Sequence, residues 1–464
     1  MTIGSAEPNT TSLARRLARA ALAVDLGRFD PDVLAKAKAC LLDFLACAFE
    51  ARHHPWSAQA IRIARGIENG ATIIGTDKAA APCDAAFANA VLGHGLVRED
   101  MHAASISHHG VVIWPTLLAL SERSPISGPT LLASAIVGYE AGARIGRALL
   151  TTDLARLHRP TGLVAPLGAA LAGSHALGLT EDAATSALAI AANTSSGLNE
   201  WPHHGGSEMY FHPGFAACNA IRAIELAEAG AVASETILEG EAGLFAAFGR
   251  RAAPDHIPLF EGQSEIMAVY NKPAPACNFA QTASQAALRA AAERGKGDGI
   301  EAISIRVPEA AVRYPGCDSK GPYRNALQAK MSIPFSVAAT LLRGAIEEGN
   351  YAEIGHPEIL RLVGLTELRS DAQFTAAFPE KQGAEVAVRL RGGATIRKRL
   401  DDVIAATPDE IRARFRTAAT SAIGGSRALE LERLIETSES LSDSSVIPAH
   451  YRLESTEQRL RTAS

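Results

Sequence analysis

Apolar residues within residues 11–249 recur every three to four positions, the spacing of one face of an α-helix. The segments LARRLARAALAVDL and VLAKAKACLLDFLACAFEA show this spacing first. Another amphipathic segment, TLLASAIVGYEAGARIGRALL, follows Ser127, Gly128 and Pro129, a combination that starts helices. The segment VAPLGAALAGSHALGL is apolar on nearly every side and predicts a buried helix, and Thr180 is predicted to cap the helix after it. These patterns predict an all-helical region.

The pattern changes near residue 255, where alternating polar and apolar positions appear. IEAISIRVPEA alternates as a strand does, and EVAVRLRGGATIRKRL predicts a hairpin that turns at Gly392 and Gly393. Helical segments separate these strands and return after TPDE. We therefore predict a mainly α fold with an α+β second domain. Residues 1–264 and 406–464 would form the helical domain, and residues 265–405 the inserted α+β lid domain.

Composition and charge narrow the class of protein. The 464-residue chain has a formal net charge of −5, and a basic face for nucleic acid is therefore not expected. The six cysteines are scattered, which suits a reducing compartment, and no signal-peptide core or membrane-spanning run occurs. We expect a cytoplasmic protein that binds neither nucleic acid nor membrane. The absence of P-loop, GxGxxG and GxSxG motifs in their usual contexts disfavours nucleotide-dependent chemistry.

The segment HGLVREDMHAASISHHG concentrates four histidines around two acids. The histidines His94, His102, His108 and His109 are separated by eight, six and one positions, which matches no compact metal-binding template. A carboxylate beside a histidine fixes its tautomer and tunes its pKa, so the segment favours acid–base chemistry. A polar helix cap is the alternative for any one of these histidines.

A second segment, LHRPTGLVAPLGAALAG, places His158 and Thr161 at the start of the predicted buried helix. Exposed amides and the helix dipole favour an anion at such a terminus. A histidine beside it would form an acid–base pair with a carboxylate substrate. The alternative is that Pro160 and Thr161 simply start the helix.

Three further segments carry charged or nucleophilic side chains. NEWPHHGGSEMYFHPG predicts a loop that closes over a pocket, or an ordinary surface loop, and it contains His203, His204 and His212. YNKPAPACNFAQ offers Lys272 for a substrate carboxylate, and Cys277 has no context that marks a nucleophile. VRYPGCDSKGPYRN is a basic loop, and its residues Arg313, Lys320 and Arg324 are either surface charges or carboxylate ligands.

Six ordered blocks together resemble the MmgE/PrpD family over most of the chain. They are LLDFLACAFEA, NAVLGHGLVREDM with HHG, HRPTG with GAALAGSHALGL, FHPGFAACNAI, NKPAPAC and AKMSIPFSVA. The resemblance implies a helical domain with an α+β lid, a site between them, metal-free chemistry on small polycarboxylates without a cofactor, and a homodimer. It identifies His108 and His158 with the family's site histidines, Lys272 with its lysine and Thr161 with its hydroxyl position.

Three positions depart from the family pattern. Val97 replaces the first acid of its acidic segment, Met209 replaces a lysine, and Phe335 replaces a tyrosine. Other cations would then replace the missing charges, or the substrate would carry fewer carboxylates.

The resulting hypothesis is proton abstraction next to a carboxylate, with dehydration favoured and epimerisation, decarboxylation or non-catalytic binding as alternatives. The predicted catalytic residues are His108, His158, Asp100 and Lys272, with Glu99 as an alternative to Asp100. The predicted substrate-binding residues are Arg98, His94, His109, Thr161, His212 and Arg313.

Overall fold

The computed structural model describes residues 11–295 and 299–453, and its N-terminal part is helical. The helices of this part are α1 (Leu13–Leu22), α2 (Pro31–Ala51), α3 (Pro55–Ile63), α4 (Pro82–His94), α5 (Gly110–Arg123), α6 (Gly128–Leu149), α7 (Thr152–Leu157), α8 (Pro160–Ala176), α9 (Glu181–Asn193), α10 (Trp201–His204), α11 (His212–Glu228) and α12 (Leu244–Ala247). The short strands β1 (Gly66–Thr72), β2 (Ala79–Ala80) and β3 (Met101–His102) lie between them.

The helix starts follow the local chemistry of the sequence. The Ser127 side chain accepts a hydrogen bond from the Thr130 amide at the start of α6, and Thr180 accepts one from Ala183 at the start of α9. Helix α8 is buried along nearly its whole length, as its apolar pattern predicts. A Cβ on Gly168 would lie 2.4 Å from the Gly138 carbonyl oxygen, so the small residue allows α8 to pack closely on α6.

The C-terminal part combines a small sheet with helices. Its strands are β4 (Val269–Tyr270), β5 (Ile300–Val307), β6 (Thr366–Ser370), β7 (Ala384–Leu390) and β8 (Thr395–Leu400). Its helices are α13 (Gln281–Glu293), α14 (Glu309–Arg313), α15 (Ala326–Met331), α16 (Ile333–Arg343), α17 (Pro357–Gly364), α18 (Ala372–Ala377), α19 (Pro408–Ile423), α20 (Gly425–Glu436) and α21 (Val446–Tyr451). The predicted fold class, mainly α with an α+β part, is confirmed.

The four-stranded sheet has the order β6-β5-β7-β8. Strand β5 is parallel to β6, whereas the β5–β7 and β7–β8 pairs are antiparallel. The predicted β7–β8 hairpin is confirmed, and Gly392 and Gly393 at its turn have φ values of 97° and 94°. Such angles favour glycine because a Cβ would be strained there.

Two main hydrophobic cores organise the chain. One contains residues of α2, α4, α5, α11 and the C-terminal helices, and the Phe415 ring of α19 lies 6.2 Å from the Phe49 ring of α2. The other joins the sheet to α13 and α16. The last helices therefore pack against the first ones, while the predicted domain boundaries stay a prediction. Residues 454–464 lie outside the described residues.

A short antiparallel pairing joins two distant segments of the chain. Met101 pairs with Tyr270, and His102 pairs with Val269. The first segment follows the acids Glu99 and Asp100, and the second leads directly into Lys272. The pairing of β3 with β4 therefore brings the histidine-rich loop next to the lysine. Within the described part of the chain, no helix has the length and apolarity to cross a lipid bilayer.

Candidate active site

The loop between α4 and α5 carries a carboxylate that contacts two imidazoles. Helix α4 ends at His94, and His108 lies two residues before α5 begins. Glu99 Oε1 is 2.5 Å from His94 Nδ1 and 3.0 Å from His108 Nδ1. All three side chains are buried. A single carboxylate therefore orients both rings, the arrangement by which proteins fix an imidazole tautomer.

His108 is held from both sides through one of its ring nitrogens and its backbone. Its Nδ1 also lies 2.8 Å from the Asp100 carbonyl oxygen, and its backbone amide donates to Thr161 Oγ1 over 3.1 Å. Because both neighbours of Nδ1 are acceptors, Nδ1 carries the ring proton. The side-chain contacts of His108 with described residues are all made by Nδ1, and none is made by Nε2. This nitrogen is therefore available as a proton acceptor.

Burial and charge set the ionisation of this cluster. Burial lowers the pKa of His108 well below its ordinary value and also lowers the pKa of His94. Burial would raise the pKa of Glu99, but the adjacent imidazoles and Lys272 outweigh it and hold that pKa below its ordinary value. We therefore treat Glu99 as ionised and both imidazoles as neutral, so that His108 is in its basic form.

Lys272 is buried beside this cluster and is fixed by backbone contacts. Its Nζ donates to the Ala276 carbonyl over 3.0 Å, and Arg414 donates to the Lys272 carbonyl over 3.0 Å. Burial lowers the pKa of Lys272, and the negative charge of Glu99 opposes this effect. Lys272 and Glu99 are thus close enough for their charges to interact.

Arg159 is a second buried cation, and it has no acidic partner. It immediately precedes α8, and only 5% of its surface is exposed. Its Nη2 donates to His94 Nε2 over 3.2 Å, and its Nη1 lies 3.5 Å from the Tyr314 hydroxyl. Its Nε has no partner, and no carboxylate of the described residues forms an ion pair with it. A buried guanidinium without a counter-ion favours an anionic ligand.

A narrow cavity of about 20 Å³ opens beside His108 and Arg159. This volume holds roughly one water molecule, so a substrate requires the walls to move. The walls are mainly apolar, and three of the five methionines of the chain line them. The lining residues are Val97, Met101, Ile106, His108, Arg159, Met209, Cys277, Asn278, Phe279, Tyr314 and Met331.

Two residues of the cavity wall have unusual backbone angles. Val97 and Ile106 are β-branched, yet their φ values are 59° and 47°. Such residues rarely adopt this left-handed conformation, which costs about 1–3 kcal/mol. The packing around the loop compensates for this strain and holds the segment between His94 and His108 in a defined shape.

Most of the predicted substrate-binding residues lie near the cluster without lining the cavity. Arg98 pairs with Glu50 over 2.7 Å, and His109 Nε2 lies 3.0 Å from Ser105 Oγ. His212 has a buried Nδ1 without a partner, and burial lowers its pKa to about 3, with Arg159 adding to the effect.

Asp100 contacts His108 through its backbone carbonyl oxygen and not through its carboxyl group. The carboxyl accepts hydrogen bonds from the Tyr139 hydroxyl and the Gly110 amide, so it fixes the start of α5. Burial raises the pKa of Asp100 to about 7. Of the two predicted acids, Glu99 is therefore the one whose side chain orients His108.

Two predicted residues are placed outside the cluster. The His158 ring stands edge-on to Phe248, with ring centroids 5.2 Å apart, and it has no contact with Glu99 or Lys272. Arg313 is half-exposed and pairs with Asp153 over 2.9 Å. The reason for the first difference is that α8 begins after Arg159, which contacts His94 in place of His158.

The remaining candidates are divided between the surface and the cavity wall. His203 and His204 are exposed on α10, where His204 pairs with Glu200. Cys277 lines the cavity, and its Sγ is 3.6 Å from the Cys317 Sγ. Within residues 11–295 and 299–453, no group of three or more His, Cys, Asp or Glu side chains is arranged to hold a metal ion.

Arg159 is a candidate site residue that the sequence patterns do not predict. Its position directly before Pro160, at the start of the buried helix, is the available signal. The neighbouring His158 is the predicted residue instead, because an imidazole suits acid–base chemistry.

The chain combines a helical part with an α+β part, and a buried carboxylate contacts two imidazoles in its interior. Two consecutive segments of this chain match domains of one protein family. The MmgE/PrpD N-terminal domain matches residues 15–256, and the MmgE/PrpD C-terminal domain matches residues 274–440. The chain belongs to the MmgE/PrpD family.

Relatives with named activities are similar over most of their length. A cis-aconitate decarboxylase-like protein of Aspergillus oryzae is 26% identical over 452 residues, covering 90% of this chain and 92% of the relative. The cis-aconitate decarboxylase of Homo sapiens is 28% identical over 79% of this chain and 78% of its own length. The 2-methylcitrate dehydratase of Cupriavidus necator is 25% identical over 80% of each chain.

Proposed function

We propose that this protein is an enzyme that removes a proton from the carbon next to a substrate carboxylate, with dehydration of a β-hydroxy acid as the outcome. The observation that carries the proposal is the orientation of His108. Two acceptors hold its Nδ1, while its Nε2 belongs to a ring that lines the same cavity as the uncompensated Arg159.

The reaction can be assigned to these side chains. The substrate carboxylate binds the Arg159 guanidinium, and His108 Nε2 accepts the proton from the adjacent carbon. The electrons of the broken C–H bond form the new C=C bond, and the C–O bond to the β-hydroxyl breaks. The resulting His108 imidazolium gives its proton to the departing hydroxide, which leaves as water. The ring is then neutral again.

The surrounding charges support the proton transfer. Negative charge grows on the substrate carboxylate as the C–H bond breaks, and Arg159 and Lys272 provide fixed positive charge in a dry environment. Glu99 stabilises the imidazolium that His108 becomes. No step of this scheme requires a metal ion or an organic cofactor, so metal-independent catalysis is part of the proposal.

Proton exchange in heavy water tests the proposal directly. The protein is incubated with β-hydroxy acids in deuterium oxide, and NMR follows the loss of the proton next to the carboxylate. We expect exchange with wild-type protein and a loss of about 10²–10⁴-fold in His108→Gln. The matched control is His256→Gln, because His256 is an exposed histidine that pairs with Glu261. Equal exchange by His108→Gln and wild type would exclude His108 as the base.

Decarboxylation is the second candidate, because two of the relatives above are named for it. Release of carbon dioxide from the same acids distinguishes it from dehydration. Retention of the hydroxyl group with inversion at carbon would indicate epimerisation. If no compound exchanges its proton, releases carbon dioxide or loses water, the non-catalytic binding alternative is favoured. The homodimer and the cytoplasmic location stay predictions.

A further inference from the structure

Arg159 lines the cavity and forms no ion pair with a described carboxylate. Glu99 and Lys272 lie close enough for their charges to interact, and burial lowers the pKa of His94 and of His108. Two further cations of this region are paired, since Arg98 contacts Glu50 and Lys330 contacts Glu348, each at 2.7 Å. Arg159 therefore keeps one positive charge that no described carboxylate compensates. One substrate carboxylate neutralises this charge, and a second would be buried without a counter-ion.

The rest of the cavity lining is mainly apolar. Met101, Met209 and Met331 belong to it together with Phe279. Methionine side chains are unbranched and polarisable, so they adapt to apolar groups of different shape. Met209 also covers the polar cluster, because its sulfur contacts His94 Nε2 and lies 3.5 Å from Arg159 Nη2. Methionine side chains, rather than further cations, therefore line the cavity beside the guanidinium.

We infer that the substrate is a small acid with one carboxylate, which binds Arg159, and a hydrocarbon arm, which packs against the three methionines. This inference rests on the proposed function and narrows its substrate class. It differs from the polycarboxylate that the family resemblance implies. The energetic reason is that burying an unpaired carboxylate against methionine and phenylalanine costs several kcal/mol, whereas a hydrocarbon arm gains from leaving water.

Matched ligands of nearly equal shape separate the two possibilities. The probes are 3-hydroxy-5-methylhexanoate, with one carboxylate and an isobutyl arm, and 3-hydroxyglutarate, where a carboxylate replaces the isopropyl group. Citrate is the tricarboxylate reference. Binding is measured by calorimetry on wild-type protein. We expect the monocarboxylate to bind at least about tenfold more tightly than either polycarboxylate. Equal or tighter binding of 3-hydroxyglutarate or citrate would overturn the inference.

A charge placed in the methionine wall provides an independent test. Met331→Lys adds a cation to the wall, and Met331→Leu is the matched neutral control. We expect the lysine variant to raise the affinity ratio of 3-hydroxyglutarate to the monocarboxylate about tenfold or more, and the leucine variant to leave it within about threefold. An unchanged ratio in a folded Met331→Lys protein would show that this wall does not contact the substrate arm.

The binding experiment and the proton-exchange experiment test two separate claims, and either claim can be contradicted without the other. If the monocarboxylate binds most tightly but exchanges no proton, the substrate class holds and the proposed chemistry is wrong. If citrate or 3-hydroxyglutarate exchanges fastest and binds most tightly, the proposed chemistry holds and the inferred substrate class is wrong.

Discussion

Replacing Arg159 by methionine should stabilise the ligand-free protein and impair its activity at the same time. The guanidinium is 5% exposed, has an unpartnered Nε and forms no ion pair with a described carboxylate. The hydrogen bond to His94 and the contact with Tyr314 compensate only part of its lost hydration. A methionine has a similar length and no charge to bury.

The two effects can be estimated from the surroundings of the side chain. Replacing a buried ion pair by apolar residues of similar volume is often neutral or stabilising by about 1–4 kcal/mol, and we expect the uncompensated charge of Arg159 to give a gain within this range. Loss of a charge-assisted contact to the substrate carboxylate costs about 2–5 kcal/mol, which lowers kcat/KM by roughly 30-fold to several thousand-fold. Stability and activity should therefore change in opposite directions.

Urea unfolding without ligand, followed by steady-state kinetics, measures both effects on the same preparation. We expect a higher unfolding midpoint and a lower kcat/KM for Arg159→Met, and a partial recovery of activity for Arg159→Lys. Arg222→Met is the control, because Arg222 forms an exposed pair with Glu225 and should change neither quantity appreciably. A lower unfolding midpoint for Arg159→Met would refute the reasoning, since it would mean that the charge is already compensated in the free protein.

Three further predictions concern other buried groups. His108→Gln should lower turnover at least about tenfold more than His158→Ala, and equal losses in kinetic assays would restore the sequence-based role of His158. Burial, with His102 adding to it, lowers the pKa of His109 to about 3 from 6.5; the unfolded chain therefore takes up a proton below pH 6.5 that the native protein does not. Stability should fall by about 1.4 kcal/mol per pH unit between pH 6.5 and pH 3 through this residue, and thermal unfolding of His109→Gln should show a correspondingly weaker pH dependence. Iodoacetate should alkylate Cys277 faster than iodoacetamide does, because a cavity with an unpaired guanidinium attracts the anion. Peptide mapping measures both rates, with Cys277→Ser as the control, and equal rates would contradict the reasoning.

Hydrophobic periodicity in the sequence predicts the helices that bury an apolar face. Helices α6, α8 and α9 form where the apolar pattern and the capping residues Ser127 and Thr180 place them. Strand β6 was not predicted, because its sequence TELRS has mostly exposed side chains and no apolar alternation. Its position depends on parallel pairing with β5, which is a non-local interaction and leaves no local pattern.

The sequence predicts which residue types form the candidate site, but it predicts their geometry less well. Clustering of histidines and acids identified His108, and the family resemblance identified Lys272. Whether Glu99 or Asp100 faces the imidazoles depends on the left-handed turn at Val97, which no local pattern signals. The choice between His158 and Arg159 depends on the residue at which α8 begins, and helix ends are the features that sequence patterns locate least well.

The two-residue pairing of β3 with β4 joins two remote parts of the polypeptide at the proposed active site. Glu99 lies just before β3 and Lys272 lies just after β4, so neither part contains the whole proposed site. Long-range pairings of this kind form late in folding because their loop entropy is large. This site should therefore mature only after both cores have condensed, and a chain cut between them would regain function only by complementation of its halves.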